Sequence, residues 1–322
     1  MQPYKTVIYS FLMGGMWALI AQAISAIWTT ILPGTPLEFF MGGATLVSMG
    51  IIGCILGGFA IYQYFEEWCT FGALLSFSGF SMAVGMKMIG PWTKDNATMG
   101  KAVWEGLWLV IWFNAVGAIV CIVFGYICGM AGVEPAVSVP PTDPKLMFPA
   151  AFFMGGLLSA IFQICFLIYK AISPKAAPVW VLMFAWMCGA ILAPFGISQA
   201  LINMFGQGFA VMIPIGGNNM YNVGMAFAEG EMIEGMVHLG SFLLAVCGLF
   251  LCGLSTFLIY NAKFGRKTLH TVHMEKAQHQ INELKGLIPV PVYEENAGVD
   301  FDPSEFTPSG GKRTHNHHRQ DD

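Results

Sequence analysis

Two stretches, FLMGGMWALIAQ at residues 11–22 and FFMGGLLSAIFQ at 152–163, decide the organisation of the chain because they share six of twelve positions. Further matches follow in the same order in both halves: FAIYQ at 59–63 with FGISQ at 195–199, VGM at 84–86 with VGM at 223–225, and EG at 105–106 with EG at 234–235. Apolar helices match one another by chance over one short stretch, but not over an ordered series that includes buried Gln residues. The sequence therefore predicts two copies of one unit.

Composition places both copies in a membrane. Of 322 residues, 56% are hydrophobic and 11% are charged, whereas a soluble domain has about 25% charged residues. No Lys or Arg lies between Lys5 and Lys87, or between Lys175 and Lys263, and cation-free stretches of this length suit hydrocarbon. The net charge of −4 and the lack of a basic stripe argue against a nucleic-acid partner. The lipid bilayer is the predicted environment.

Six segments are long enough to cross a bilayer, which needs about 20 apolar residues each. They run at about 6–30, 39–62, 103–129, 146–169, 178–202 and 236–260. Two other apolar stretches, about 68–89 and 204–228, contain so many Gly, Ser, Pro and Asn residues that a continuous helix is disfavoured. Broken backbone at membrane depth is tolerated only inside protein or beside water, so we expect re-entrant or broken segments there.

The predicted fold is an all-α polytopic membrane protein of two inverted repeats, with about six transmembrane helices and two re-entrant or broken segments. Membrane repeat 1 takes residues 1–130, a linker loop 131–145 and membrane repeat 2 residues 146–262. Residues 263–322 are expected to form a cytoplasmic, largely disordered tail, with a short amphipathic helix from about Thr268 to Lys285.

The distribution of Lys residues favours inverted repeats over two parallel four-helix units. In the inverted arrangement nearly all Lys residues of the loops fall on the side of the termini, with Lys145 as the exception. The positive-inside rule then predicts a bacterial inner-membrane protein with both termini in the cytoplasm. Inverted repeats are common in secondary transporters, whose sites lie near the midplane where helices are interrupted.

Buried polar residues at repeated positions are the first candidates for a solute or ion site. Gln22 and Gln163 occupy equivalent positions in the first helix of each half; they either contact solute or join helices by side-chain hydrogen bonds. Glu105 and Glu234 each enter the last helix of a half. They either serve a coupling cation or proton, or simply complement the helix dipole.

The interrupted segments supply the remaining candidates. Half-helix N-termini suit an anionic group and freed carbonyls suit a cation; the alternative is a plain helical hairpin in which small residues pack. The candidates there are Ser76, Ser78, Ser81, Pro214, Gly216, Gly217, Asn218 and Asn219.

No catalytic motif is present in the sequence, so we expect no enzyme activity. It contains no HExxH, GxSxG, Walker or CxxC motif. The eight Cys residues lie mainly in apolar runs and are interpreted as packing residues. We expect no cofactor and no metal site.

The chain resembles the small membrane subunits of the stage V sporulation protein A (SpoVA) family, of the AC and AE types. The resemblance is carried by FLMGG followed by Gln22, by FAIYQ at 59–63 and by FGALLSFSGF at 71–80. The second half repeats the order with FMGG followed by Gln163, FGISQ at 195–199, IPIGG at 213–217 and the Glu-Gly step at 234–235. Members of that family are usually single units, whereas this chain would be a tandem fusion, and its tail has no counterpart.

The resemblance implies a membrane complex that moves dipicolinate, a small dicarboxylate, with its calcium across a spore membrane. A relative that moves another organic anion is the open alternative. From the sequence we predict a transporter or channel subunit for a small polar, anionic organic solute with a coupling cation, in a homo- or hetero-oligomer with other membrane subunits. The alternative from another class is a membrane anchor or scaffold that docks a soluble partner.

Overall fold

In a computed structural model, residues 3–173, 175 and 177–287 are described, with side chains as far as residue 280. That part of the chain contains helices, short 3₁₀ turns and no strand. The helices are α1 Pro3–Ile31, α2 Met41–Gly58, α3 Tyr62–Leu74, α4 Phe77–Lys94, α5 Met99–Met130, α6 Pro144–Ile172, α7 Pro178–Leu192, α8 Ile197–Phe205, α9 Ile213–Ala228, α10 Met232–Phe264 and α11 Leu269–Leu287.

The helices confirm an all-α polytopic membrane protein. Five of those described are long and apolar enough to cross a membrane, or six if the bent pair α7 and α8 counts as one span. Large apolar side chains such as Ile119 and Ile168 are more than half exposed. In water such a surface would be costly, so these side chains face lipid.

Each repeat contains the same five helices in the same order, α1 to α5 and then α6 to α10. Thr98 and Asp143 cap α5 and α6, where their side chains accept hydrogen bonds from backbone N–H groups of the first turn. The last described helix, α11, starts one residue after the predicted tail helix. The predicted disorder of residues 288–322 lies outside the described residues.

The predicted span at 178–202 is bent, because α7 ends at Leu192 and α8 leaves it at 101°. We call Ala193–Gly196 elbow 2. Its counterpart, elbow 1 at Phe59–Ile61, ends α2 within the predicted span 39–62. Ala60 and Gly196 occupy equivalent positions and both have positive φ, 53° and 74°. An α-helix cannot continue through a residue with left-handed backbone angles, so the chain turns at this position in each repeat.

The first helices of the two repeats cross at their Gly-Gly pairs. A methyl group at Gly15 would lie 2.6 Å from the Phe152 carbonyl oxygen, and one at Gly156 would lie 2.6 Å from that of Phe11. These two contacts are equivalent under exchange of the repeats. Thr6, near the start of α1, accepts a hydrogen bond from Gln163, in the second half of α6. The two helices therefore run antiparallel, which confirms that the repeats are inverted.

The broken segments of the two repeats meet each other. The backbone of Ser76 pairs with that of Met212 in an isolated antiparallel bridge, and Ile213 N donates to Leu75 O over 3.0 Å. Ser76 and Met212 differ by the same offset as FAIYQ and FGISQ, so equivalent positions pair on the pseudo-two-fold axis. We call this pairing the central junction. Both α4 and α9 begin there, at the interface of the repeats.

Candidate functional site

A cavity of about 310 Å³ lies between the two repeats, beside the central junction. It is lined by the first turns of α2 and by parts of α4, α5, α7, α8, α9 and α10. Because α2 begins just after α1 ends, the cavity lies toward the end of the protein opposite the N-terminus. Its volume is at the lower end of the range for small-molecule sites, about 300–1,000 Å³.

Aromatic walls and polar side chains make up the lining. The aromatic residues are Phe39, Phe77, Phe80, Phe113, Trp186 and Phe242, and the polar ones are Thr45, Asn114, Gln199, Gln207, Asn219, His238 and Ser241. Among the described residues that line the cavity there is no Lys, Arg, Asp or Glu. A charged solute here would be held by neutral donors and by helix dipoles.

Of the twelve residues proposed from the sequence, Gly216 and Asn219 line this cavity. Both lie in the first two turns of α9, whose N-terminus points into the protein at the central junction. Asn218, which faces another way, lines a second hollow of about 470 Å³ beside the linker residues 133–139. The two spaces share Gln199.

The three Ser residues of the first broken segment are fully buried away from this cavity. Tyr62 Oη lies 3.0 Å from Ser78 Oγ and donates to Ala73 O, while Ser76 Oγ lies 2.7 Å from Ser78 Oγ. Ser81 Oγ donates to Gly50 O over 3.1 Å. These bonds tie α4 to α3 and α2, which is a way to satisfy polar groups at a helix break.

Gln22 and Gln163 join the two repeats. Gln22 Oε1 accepts a hydrogen bond of 2.7 Å from the backbone N–H of Gly208. Gln163 Oε1 accepts one of 3.0 Å from Phe71 N–H. Each amide therefore satisfies a backbone donor in the broken region of the opposite repeat, and this geometry favours the helix-joining interpretation over solute contact.

Pro214 and Gly217 pack α9 against α7. A methyl group at Gly217 would overlap the carbonyl oxygen of Trp186, and one at Gly189 would overlap that of Pro214. The small residues predicted for this segment thus permit close backbone approach.

The repeated Glu residues are half-exposed or exposed, and each lies near a basic side chain at a distance too long for a hydrogen bond. Lys87 Nζ lies 3.8 Å from Glu105 Oε2, and His238 Nε2 lies 3.6 Å from Glu234 Oε1. A hydrogen bond with Glu234 raises the pKa of the neighbouring Glu231 carboxyl. Glu105 and Glu234 are absent from the cavity lining, but His238 connects Glu234 to it.

Sequence reasoning missed Trp186 and the cavity role of Gln199. Trp186 is equivalent to Gly50 at the offset that relates FAIYQ to FGISQ, so the available signal was a difference between the repeats.

The family model described as SpoVAC/SpoVAEB sporulation membrane protein matches the chain twice, over residues 6–131 and 147–260. The chain belongs to this family. Because the model matches each repeat separately, the chain is a tandem fusion of two SpoVAC/SpoVAEB units. No curated protein and no solved structure matches significantly. In this tandem SpoVAC/SpoVAEB protein, the cavity lies between the two units.

Proposed function

We propose that this SpoVAC/SpoVAEB tandem protein carries a small organic anion across a bacterial inner membrane, as a transporter or channel subunit without enzymatic activity. The observation that supports this is the position of the cavity, at the interface of inverted repeats and beside the N-terminus of α9. Interrupted helices near the midplane form the solute sites of inverted-repeat transporters. The family and the dimensions of the cavity favour dipicolinate or a similar dicarboxylate as solute.

The chemistry of the lining fits an anion of this size. A planar, partly apolar solute can pack on the aromatic walls, while amides and hydroxyls bond to its oxygens. The positive end of α9 adds a favourable field without a buried cation, whose desolvation would be costly. In this proposal both termini face the cytoplasm, so the cavity lies toward the outer face.

Flux through reconstituted protein tests the proposal. Proteoliposomes are loaded with dipicolinate, succinate or the neutral dicarboxamide of dipicolinate, and efflux is followed with and without a sodium gradient. We expect efflux of dicarboxylates but not of the amide. Asn219→Ala should reduce efflux about tenfold, because one hydrogen bond to a charged group is lost.

Asn222→Ala is the matched control, since Asn222 lies one turn further along α9 and outside this cavity. Equal efflux by wild type and by protein-free liposomes would refute transport by this chain alone. Suppose that the wild-type protein shows no flux and that deleting residues 276–322 abolishes binding of a soluble partner. The anchor function would then replace the proposal.

A further inference from the structure

Trp186 holds a buried hydrogen-bond donor at the wall of the cavity. Its side chain is 3% exposed, and its Nε1 has no hydrogen-bond partner among the described residues. The ring packs against Phe113, which is stacked on it at 5.2 Å, and against Phe242 at 6.0 Å. Buried indole N–H groups usually find a partner, so an unpartnered one beside a ligand-sized space needs an explanation.

The indole nitrogen packs against the first turn of α9 at a glycine. A methyl group at Gly216 would lie 2.9 Å from Trp186 Nε1, closer than van der Waals contact. Gly216 lies in the first turn of α9, and both Gly216 and Trp186 line the cavity. The indole N–H and the N-terminus of a 16-residue helix thus meet at one point of the wall.

The start of α9 has no side-chain acceptor, and its first N–H groups donate to backbone carbonyls, Ile213 N to Leu75 O and Ile215 N to Met212 O. No side chain caps this helix, and Pro214 stands near its first position, so its positive end is not neutralised by a polar side chain. In α4, the equivalent helix, the side chain of Ser76 accepts a hydrogen bond from Gly79 N–H. The repeats therefore differ at the place where an external acceptor would bind.

We propose that Trp186 Nε1–H and the N-terminus of α9 form a carboxylate subsite of the transported solute. This inference rests on the proposed function and adds to it the residue that binds the anion. When solute enters, the indole tilts toward the cavity and its N–H donates to a carboxylate oxygen. Only repeat 2 supplies this donor, because Gly50 stands at the equivalent position of repeat 1.

Trp17 provides a matched control within the same molecule. It is 2% exposed, its Nε1 is likewise without a partner in the described part of the chain, and its ring stacks on Tyr62 at 5.4 Å. Trp17 is not among the residues that line the cavity. A Trp→Phe substitution at either position removes the same N–H from a similar aromatic environment.

The test uses the full chain in lipid nanodiscs with ¹⁵N-indole-labelled tryptophan, which gives up to nine indole signals. Trp186→Phe and Trp17→Phe assign two of them. Titration with dipicolinate should move the Trp186 indole proton downfield and leave that of Trp17 in place. Trp186→Phe should weaken dipicolinate binding about tenfold or more, as expected for a hydrogen bond to a charged group, and Trp17→Phe should not change it.

Gly216→Ala provides a second variant that keeps the indole and places a methyl group against its nitrogen, and it should weaken binding similarly. Dipicolinate binding with an unmoved Trp186 signal, or unchanged affinity in Trp186→Phe, would overturn the subsite while the proposed function stands. If wild type binds neither dipicolinate nor succinate, the proposed function fails and the subsite fails with it.

Discussion

Gln63 and Gln199 follow the two elbows at equivalent positions, yet their surroundings differ completely. Gln63 is 2% exposed; its Nε2 donates to Gly57 O over 3.1 Å and its Oε1 is buried without a partner in the described residues. Gln199 is exposed, lines the cavity and donates from Nε2 to Asn203 Oδ1. The Gln that follows the elbow is therefore buried in repeat 1 and accessible from the cavity in repeat 2.

The segments that follow the last helix of each repeat cover the elbows of the opposite repeat. The linker covers elbow 2, where Val137 N donates to Phe195 O and Asn203 Nδ2 donates to Val139 O. The start of α11 covers elbow 1, where His273 stacks on Tyr64 at 4.2 Å and contacts Ala60 O at 3.3 Å. In the proposed transport function, this difference between the repeats would correspond to one state of an alternating-access cycle.

Substitutions at the α1–α6 crossing, where the two repeats make equivalent contacts, should cause the largest losses of stability. Gly15→Val and Gly156→Val each place a side chain against a backbone carbonyl at the α1–α6 crossing. We expect each to destabilise the fold by about 3 kcal/mol, the upper end for overpacking, and by similar amounts because the contacts are equivalent. Thermal unfolding in detergent measures this.

Gly240→Val is the control for both variants, because nothing lies within 4 Å of a methyl group at Gly240. A large loss at only one of the two glycines would break the symmetry of the crossing.

The amides that join the repeats should show the next largest effects. Gln22→Met and Gln163→Met each leave a backbone N–H of the opposite repeat without its acceptor. The expected cost is about 2 kcal/mol each, again read from unfolding. Unchanged stability together with weaker solute binding would instead assign these residues to solute contact.

The smallest effect is expected at elbow 1. Removing the stacked ring with His273→Ala costs about 0.5–1.5 kcal/mol of aromatic contact and loosens the cover over Gln63. Thiol labelling of Gln63→Cys should then accelerate about threefold in the double variant. Met274→Ala serves as its comparison, since Met274 is 59% exposed; equal acceleration there would show that α11 covers nothing specific.

The sequence allowed the duplication, the membrane class and the broken segments to be predicted, because each leaves a local signature. The Gly-Gly pairs and repeated Gln residues also marked the contacts between the repeats. Elbow 1 was missed because FAIYQ lacks Pro and Gly, so the positive φ of Ala60 has no signal in composition. Elbow 2 does carry a signal, since Pro194 and Gly196 both disfavour a continuous helix. The cavity was missed in part because it forms beside only one of the two repeats. The two repeats have similar sequences, so the sequence does not indicate which of them lies beside a cavity.

Access to the two glutamine positions tests the central claim most directly. In a cysteine-free background, Gln63→Cys and Gln199→Cys are labelled in separate preparations with a membrane-impermeant maleimide added to one side at a time. The account predicts labelling at position 199 from the side opposite the termini, and almost none at position 63 from either side without solute. Equal labelling of both positions, or labelling of 199 from the side of the termini, would contradict it.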